Sequence, residues 1–140
     1  MKSGITVAVC LDKEGGMIFN NRRQSKDRVM LAELLDSFPD GKILISPFSE
    51  KLFLKYPERV RVVPSPLDAA GDGDICFIED LPLGKHADKI SRLVIYHWNR
   101  LYPWDKKIDI EPEKIGLCRI SSTDFVGSSH DKITKEIYER

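Results

Sequence analysis

The sequence predicts a mixed α/β domain, in which a mostly central β-sheet is flanked by few helices. An apolar strand, Ile5 to Leu11, opens the chain and is followed by a polar loop and an amphipathic helix. Further short apolar segments alternate with stretches rich in proline and glycine, as strands alternate with turns. At 140 residues, the chain is predicted to form a single domain over residues 1–140.

The first strand and the first helix are predicted from their apolar spacing. Ile5 to Leu11 carries apolar or small residues on both faces, which favours a place in the middle of the sheet. Ser25 can cap the helix that follows, whose apolar positions fall between Val29 and Phe38 at helical spacing. Asp27 then lies in its first turn, where a carboxylate suits the helix dipole. Pro39-Asp40-Gly41 ends the helix.

The rest of the chain reads as short strands joined by turns. Strands are predicted at 42–46, 60–63, 75–78, 92–98, 106–110 and 115–121. A short helix could follow a cap at Ser49, residues 65–74 read as a loop with room for one helical turn, and residues 81–88 leave room for at most a single turn. Residues 131–140 fit either a helix face or an edge strand. We expect the sheet to be mostly parallel early in the chain and antiparallel late.

Charge and cysteine content limit the classes of partner. Lysine plus arginine and aspartate plus glutamate number 22 each, so the net charge is +0 and nucleic-acid binding would need a local basic patch. No apolar run approaches the roughly 20 residues that span a bilayer, and the first residues do not resemble a signal peptide. Cys10, Cys76 and Cys118 are expected to be buried free thiols, which favours a cytoplasmic protein. The histidines lack metal-ligand spacing, so neither a metal nor a cofactor is predicted.

The loop before the helix concentrates cations and is the first candidate site. Asn20, Arg22 and Arg23 lie in it, ahead of further basic residues up to position 28. Arginine binds carboxylate or phosphate at two points, and amide side chains add hydrogen bonds. The alternative is a solvated loop whose arginines pair with Asp27, Glu33 or Glu14.

Three further positions are candidates, each with a plainer alternative. Asp27 could donate a proton or anchor an amidine-like ring if it is buried, or it could simply serve the helix start. Trp98 and Arg100 could hold a planar group by stacking at the end of a strand, or Trp98 could be a core residue. Ser128, Ser129 and His130 form a Gly-Ser-Ser-His turn that could bind an anion. It lacks the Gly-x-Ser-x-Gly form of a serine hydrolase elbow, so no catalytic triad is predicted there.

The order of these segments resembles that of the dihydrofolate reductases. That family opens with an apolar strand, a mobile glycine-bearing loop and a helix whose first turn carries an acid, here Asp27. Residues 75–78 and 93–96 resemble its central strands, and Arg-Leu-Tyr-Pro-Trp-Asp at 100–105 resembles the segment before a later strand. Ile137-Tyr138-Glu139-Arg140 would then belong to the closing strand pair. The resemblance covers most of the chain and implies a dihydrofolate reductase-like fold.

The sequence departs from that family where the cofactor would bind. Phe77-Ile78-Glu79-Asp80 stands where the reductases have consecutive glycines, and two carboxylates there would repel a diphosphate. Ser46-Pro47-Phe48-Ser49-Glu50 replaces a Gly-Arg turn, and the first loop has Arg22-Arg23-Gln24 in place of Pro-Trp. We therefore expect the chain to keep the fold of the reductases but to have lost their chemistry with a dinucleotide cofactor.

The chain is also similar to short, largely uncharacterised bacterial proteins that carry Gly-Gly-Met-x-Phe-Asn and Gly-Ser-Ser-His-x-Lys-Ile-Thr-Lys-Glu segments. Some of these proteins are labelled ribonucleases, which would imply a zinc hydrolase. The sequence has no His-x-His-x-Asp-His ligand set, so this activity is not predicted.

The resulting hypothesis is a reductase-like frame that binds a small anionic or nucleotide-like ligand without NADPH-dependent reduction. Asp27 and Trp98 are predicted to line the same cleft. A non-catalytic interaction or regulatory protein is the alternative, with exposed Tyr102, Trp104 and the arginine loop as the partner surface. A hydrolase or nuclease is the third hypothesis, and a homodimer is also considered.

Overall fold

The structure is a computed structural model that describes residues 4–140. In this part of the chain the strands are β1 Ile5–Leu11, β2 Gly16–Phe19, β3 Arg22–Arg23, β4 Ile43–Ile45, β5 Val60–Val62, β6 Ile75–Phe77, β7 Ile90–His97, β8 Lys106–Lys107, β9 Cys118–Phe125 and β10 Ile133–Glu139. The α-helices are α1 Arg28–Ser37 and α2 Pro66–Ala69. The 3₁₀ helices are Pro47–Phe53, Pro57–Arg59, Gly84–Lys89 and Pro112–Ile115.

A seven-stranded sheet organises the molecule, with the strand order β5-β4-β6-β1-β7-β10-β9. The strands from β5 to β7 pair in parallel, whereas β10 pairs antiparallel with both β7 and β9. The mixed sheet and its change from parallel to antiparallel pairing agree with the prediction. Residues 133–139 form a strand, which resolves the ambiguity over the end of the chain in favour of a strand.

Strand β1 lies in the middle of this sheet and is buried on both faces, as its sequence predicts. Ile5, Val7 and Val9 belong to one hydrophobic cluster, and Ala8 belongs to the cluster on the other face. The second cluster includes Met30 and Leu34 of α1, so the helix packs with its apolar stripe on the sheet. This packing brings the start of α1 beside the ends of β1 and β7.

The basic loop is more regular than the sequence suggested. Strands β2 and β3 form a hairpin, and β8 pairs with β2 to complete a second sheet of order β3-β2-β8. Asn20 and Asn21 make the hairpin turn with φ values of 55° and 57°, a conformation that asparagine tolerates better than most residues. The strand predicted at 106–110 is thus confined to β8 and lies outside the main sheet.

Two local expectations need correction. Asp27, not Ser25, is the N-cap of α1, because its extended backbone and short carboxylate let it accept the first free helical N–H groups. Cys118 is exposed rather than buried, since β9 is the edge strand and faces solvent along most of its length. Cys76 is buried, which raises the pKa of its thiol to about 12 and makes it a weak nucleophile.

Within residues 4–140, none of the helices is long and apolar enough to cross a bilayer.

Candidate functional site

The start of α1 is built around the carboxylate of Asp27. Its Oδ1 accepts hydrogen bonds from the backbone N–H groups of Val29 at 2.9 Å and Met30 at 3.1 Å. This arrangement is a helix N-cap, in which a side chain replaces the missing intrahelical acceptor. Asp27 therefore has a defined structural role before any chemistry is considered.

The turn between β9 and β10 closes over the same carboxylate. The N–H groups of Ser128 and Ser129 donate to Asp27 Oδ1 and Oδ2, each at 2.9 Å. Gly127 makes this approach possible, because a Cβ atom at that position would lie 2.3 Å from Oδ2. The backbone of the Gly-Ser-Ser-His segment thus binds the protein's own Asp27 carboxylate, whereas the sequence analysis considered it for an anionic ligand.

The hydrogen bonds keep Asp27 ionised although it is buried. Burial alone would raise the pKa of this carboxyl group. The N–H of Ser129, the His130 ring and the N–H groups of Ser128 and Met30 together hold the pKa well below its usual range. A carboxyl group in this state is a poor proton donor at neutral pH, so the geometry favours anchoring over proton donation by Asp27.

His130 links this carboxylate to two hydroxyl groups. Its Nδ1 lies 2.9 Å from Asp27 Oδ2, and its Nε2 lies 3.0 Å from Ser25 Oγ and 3.1 Å from the Tyr102 hydroxyl. The imidazole is buried and stacks on Trp98, with ring centroids 4.5 Å apart. The His130 imidazole therefore contacts both Asp27 and Trp98.

The predicted pair of Trp98 and Arg100 is separated. Trp98 is buried in the second hydrophobic cluster, and the His130 ring covers it. Arg100 is exposed beyond the turn at Asn99, which has a φ of 60°. The strand ends at His97, so the alternation that would place positions 98 and 100 on one face does not continue.

The two adjacent arginines of β3 have different environments. Arg23 forms a two-point ion pair with Glu79, with its Nε 2.5 Å from Oε2 and its Nη2 2.8 Å from Oε1. Glu79 is buried and also accepts a 2.7 Å hydrogen bond from the Ser49 hydroxyl. Arg22 is exposed at the hairpin turn. Arg23 thus pairs with an acid of the protein, but the partner is Glu79 and not Asp27, Glu33 or Glu14, as that alternative expected.

These contacts also change the charge that Glu79 and Asp80 present at the end of β6. Glu79 does not present a free charge at the end of β6, because Arg23 neutralises it. The neighbouring Asp80 accepts a 3.1 Å hydrogen bond from the Ser46 hydroxyl at the end of β4. The carboxyl ends of β4 and β6 are therefore joined by side chains, where the sequence alone predicted simple repulsion.

A cleft of about 680 Å³ opens in front of Asp27. It is bounded by the loop before α1, the first turns of α1, the segment after β4 and the β9–β10 turn. Its lining consists of Arg23, Lys26, Asp27, Arg28, Leu31, Lys51, Leu52, Leu54, Lys55, Tyr56, Ser128 and Ser129. Five of these residues are cationic and Asp27 is the only acid among them, although the whole chain is neutral.

The predicted site residues divide between this cleft and other places. Arg23, Asp27, Ser128 and Ser129 line it. His130 and Trp98 lie behind Asp27, outside the lining, while Asn20, Arg22 and Arg100 are exposed elsewhere.

Sequence reasoning missed the wall of the cleft that follows β4. Lys51 and Lys55 come from this segment, and their spacing of four residues was a weak signal for a shared face. Ser25 and Tyr102 were also missed as partners of His130, because no local pattern joins residues so far apart in sequence.

The proposed partner surface is less exposed than expected. Tyr102 and Trp104 are half-buried, and the Trp104 indole donates a 2.9 Å hydrogen bond to Glu14. Lys107 lies over the Trp104 ring, 5.0 Å from its centroid.

Within residues 4–140, no cluster of three or more histidine, cysteine, aspartate or glutamate side chains could hold a metal ion.

Comparisons with known proteins support the fold. No family model matches the sequence, and no curated protein matches it. Among solved structures, the chain is similar to a dihydrofolate reductase from Enterococcus faecalis, complexed with NADP(H) and RAB-propyl, with a TM-score of 0.67. The match covers 98% of this chain and 96% of that chain at 10% sequence identity. The chain therefore has a dihydrofolate reductase-like fold, as its segment order predicted, and the likeness extends to the fold alone.

Proposed function

We propose that this protein binds a small anionic or nucleotide-like ligand in the cleft in front of Asp27, and that it does not carry out NADPH-dependent reduction. The excess of cations around the cleft is the observation that carries the proposal. Lys26, Arg28, Lys51 and Lys55 surround a space in which the one carboxylate, Asp27, is already satisfied by hydrogen bonds. An anion entering this space gains attraction from several sides and meets little opposing charge.

The apolar part of the cleft supports a ligand with a planar or apolar portion. Leu31 and Leu52 line its interior, while Leu54 is 68% exposed and Tyr56 is 37% exposed. An exposed tyrosine beside cationic groups can stack on a ring while the cations bind a phosphate or carboxylate. This combination suits a nucleotide-like ligand better than a bare inorganic ion.

Arg23 plays a smaller part in this proposal than the sequence suggested. Its Nε and Nη2 atoms both donate to Glu79, so this two-point contact is made with the protein rather than with a ligand. The lysines of the segment after β4 are exposed and free to adjust to a phosphate. We therefore assign the main ligand contacts to Lys51, Lys55 and Arg28.

Calorimetric titration with inorganic pyrophosphate and with AMP tests the proposal. We expect both probes to bind and to raise the melting temperature. Affinity should fall as salt rises, because exposed charges are screened over about 8 Å at physiological ionic strength. Changing Lys51 and Lys55 together to alanine should weaken binding by about tenfold or more, equivalent to about 1.4 kcal/mol.

A double change of Lys42 and Lys85 to alanine is the matched control. It removes the same charge from exposed positions outside the cleft lining, so binding should stay within about twofold of the wild-type value. The proposal fails if neither probe stabilises the wild-type protein at millimolar concentration. It also fails if the two double variants lose affinity equally, because binding would then reflect overall charge alone.

A further inference from the structure

The hydrogen-bonded series Ser25, His130 and Asp27 has the geometry of a nucleophilic hydrolase site. Ser25 Oγ lies 3.0 Å from His130 Nε2, and His130 Nδ1 lies 2.9 Å from Asp27 Oδ2. A serine becomes a nucleophile when an adjacent imidazole accepts its proton and a buried carboxylate orients that imidazole. Both conditions are met by residues from two distant segments of the chain.

Each member of the series is placed for a distinct task. Asp27 and His130 side chains are almost completely buried, so their mutual orientation is fixed by the surrounding protein. The stack on Trp98 holds the imidazole plane. Ser25 as a whole is only half-buried, so it is more exposed than either partner. A rigid base with an accessible hydroxyl is what nucleophilic catalysis requires.

The serines of the Gly-Ser-Ser-His segment do not occupy the nucleophile position. The Ser129 hydroxyl donates to the carbonyl of Lys26 and lies near Nδ1 of His130, on the side of the imidazole that faces Asp27. The Ser128 hydroxyl accepts from the N–H of Arg28. Ser25 is the serine at Nε2, although it is 105 positions from His130 in sequence.

Two further groups complete the surroundings of Ser25. The Tyr102 hydroxyl lies 3.4 Å from Ser25 Oγ and 3.1 Å from His130 Nε2, so it can hydrogen-bond either atom and borders the position of the reacting proton. Within residues 4–140, the backbone N–H of Lys26 donates no hydrogen bond. The residue after the nucleophile commonly supplies an N–H for the developing oxyanion in serine hydrolases. The side chain of Lys26 lines the neighbouring cationic cleft.

We propose that Ser25 is the nucleophile of an esterase site in which His130 is the general base and Asp27 positions His130. The substrate class is a carboxylic ester whose acyl part carries an anionic group, because the adjoining cleft is lined by Lys26 and Arg28. The choice of an anionic acyl part rests on the proposed ligand-binding function, whereas the nucleophile itself does not.

The chemistry balances with water as the co-reactant. Ser25 Oγ forms a bond to the ester carbonyl carbon while its proton passes to His130 Nε2. The tetrahedral intermediate collapses, the bond from carbon to the leaving oxygen breaks, and the alcohol departs with the proton from Nε2. Water then attacks the acyl-serine, gives a proton to Nε2, and the carboxylic acid leaves as Ser25 Oγ recovers its proton.

Reaction with an uncharged alkyl fluorophosphonate tests the nucleophile directly. We expect one covalent adduct per wild-type chain, mapped by peptide mass spectrometry to Ser25. Ser25→Ala should lower the labelling rate by about 100-fold or more. Ser122→Ala removes an exposed hydroxyl from β9, at a position that pairs with Glu136 of β10, and should leave labelling unchanged.

The role of His130 is tested by His130→Gln, with circular dichroism to establish that the variant is folded. We expect a folded variant to lose labelling as Ser25→Ala does. If the variant does not fold, the adduct map on the wild-type protein decides the matter. Absence of an adduct on the wild type at large probe excess, an adduct on another residue, or unchanged labelling of Ser25→Ala would each overturn the proposal. Because the probe is uncharged, these outcomes do not depend on anion binding in the cleft.

Discussion

At the scale of single residues, Asp27 is the position on which most of the site depends. It caps α1, receives the N–H groups of the β9–β10 turn and contacts the His130 imidazole. Asp27→Asn replaces an acceptor oxygen by an N–H₂ group that faces donors, so several hydrogen bonds are lost at once. We expect a loss of about 2 kcal/mol or more in the free energy of unfolding at neutral pH.

The same change should alter the acid sensitivity of the protein. The folded pKa of Asp27 is lowered, so its stabilising contribution is present above the unfolded pKa of about 3.9 and is lost as pH falls towards the folded pKa. The stabilities of the wild type and Asp27→Asn should therefore begin to converge only as pH falls below about 4, and should continue to converge as pH approaches the folded pKa. Urea denaturation across pH checks this expectation. Asp36→Asn, at an exposed position of the same helix, is the control. Equal stability of both variants at neutral pH would contradict it.

Local sequence patterns predicted the position of Asp27 but not its contacts with distant residues. The sequence placed an acid at the start of α1, because an apolar stripe at helical spacing locates the helix start to within a residue or two. It could not show that a turn 101 to 102 positions later supplies N–H groups to that acid. A hydrogen bond between segments this far apart leaves no periodic pattern in the chain.

At the scale of elements, the β2–β3 hairpin is fastened to the main sheet through Arg23 and Glu79. Glu79 is 7% exposed, so removing its partner leaves a nearly buried carboxylate without compensation. Arg23→Ala should cost about 3 kcal/mol in the free energy of unfolding, whereas Arg22→Ala should cost within about 0.5 kcal/mol. Urea denaturation of both variants measures the difference between adjacent arginines of one strand.

Arg23→Lys separates charge from geometry in this contact. Lysine retains a positive charge but cannot make the two-point contact with both carboxylate oxygens, so an intermediate loss of stability is expected. Equal stabilities for the changes at positions 22 and 23 would show that the pair contributes nothing. Arg23 would then again be a candidate for direct contact with a ligand.

The elements themselves were predicted to different extents, for a physical reason. Strands β1, β6 and β7 have apolar residues on both faces, and this pattern survives in the sequence because both faces are buried. The β2–β3 hairpin was read as an irregular loop, since it is short and its asparagine turn resembles any polar loop. The cleft was not predicted as a whole because three separate segments build it.

At the scale of the whole molecule, the chain has a dihydrofolate reductase-like fold, and side chains join the carboxyl ends of two neighbouring parallel strands. Ligands of parallel α/β sheets lie at the carboxyl ends of the strands. Here the ends of β4 and β6 are joined by Ser46 to Asp80 and by Ser49 and Arg23 to Glu79. A diphosphate would have to break these contacts and free buried carboxylate charge, which is costly.

We therefore predict no tight binding of NADPH. Nicotinamide fluorescence during titration of the wild type checks this at physiological salt, with a dihydrofolate reductase as the positive control. Sub-micromolar affinity would show that the side-chain bridge between β4 and β6 opens, and the proposal of a frame without NADPH-dependent reduction would then fail.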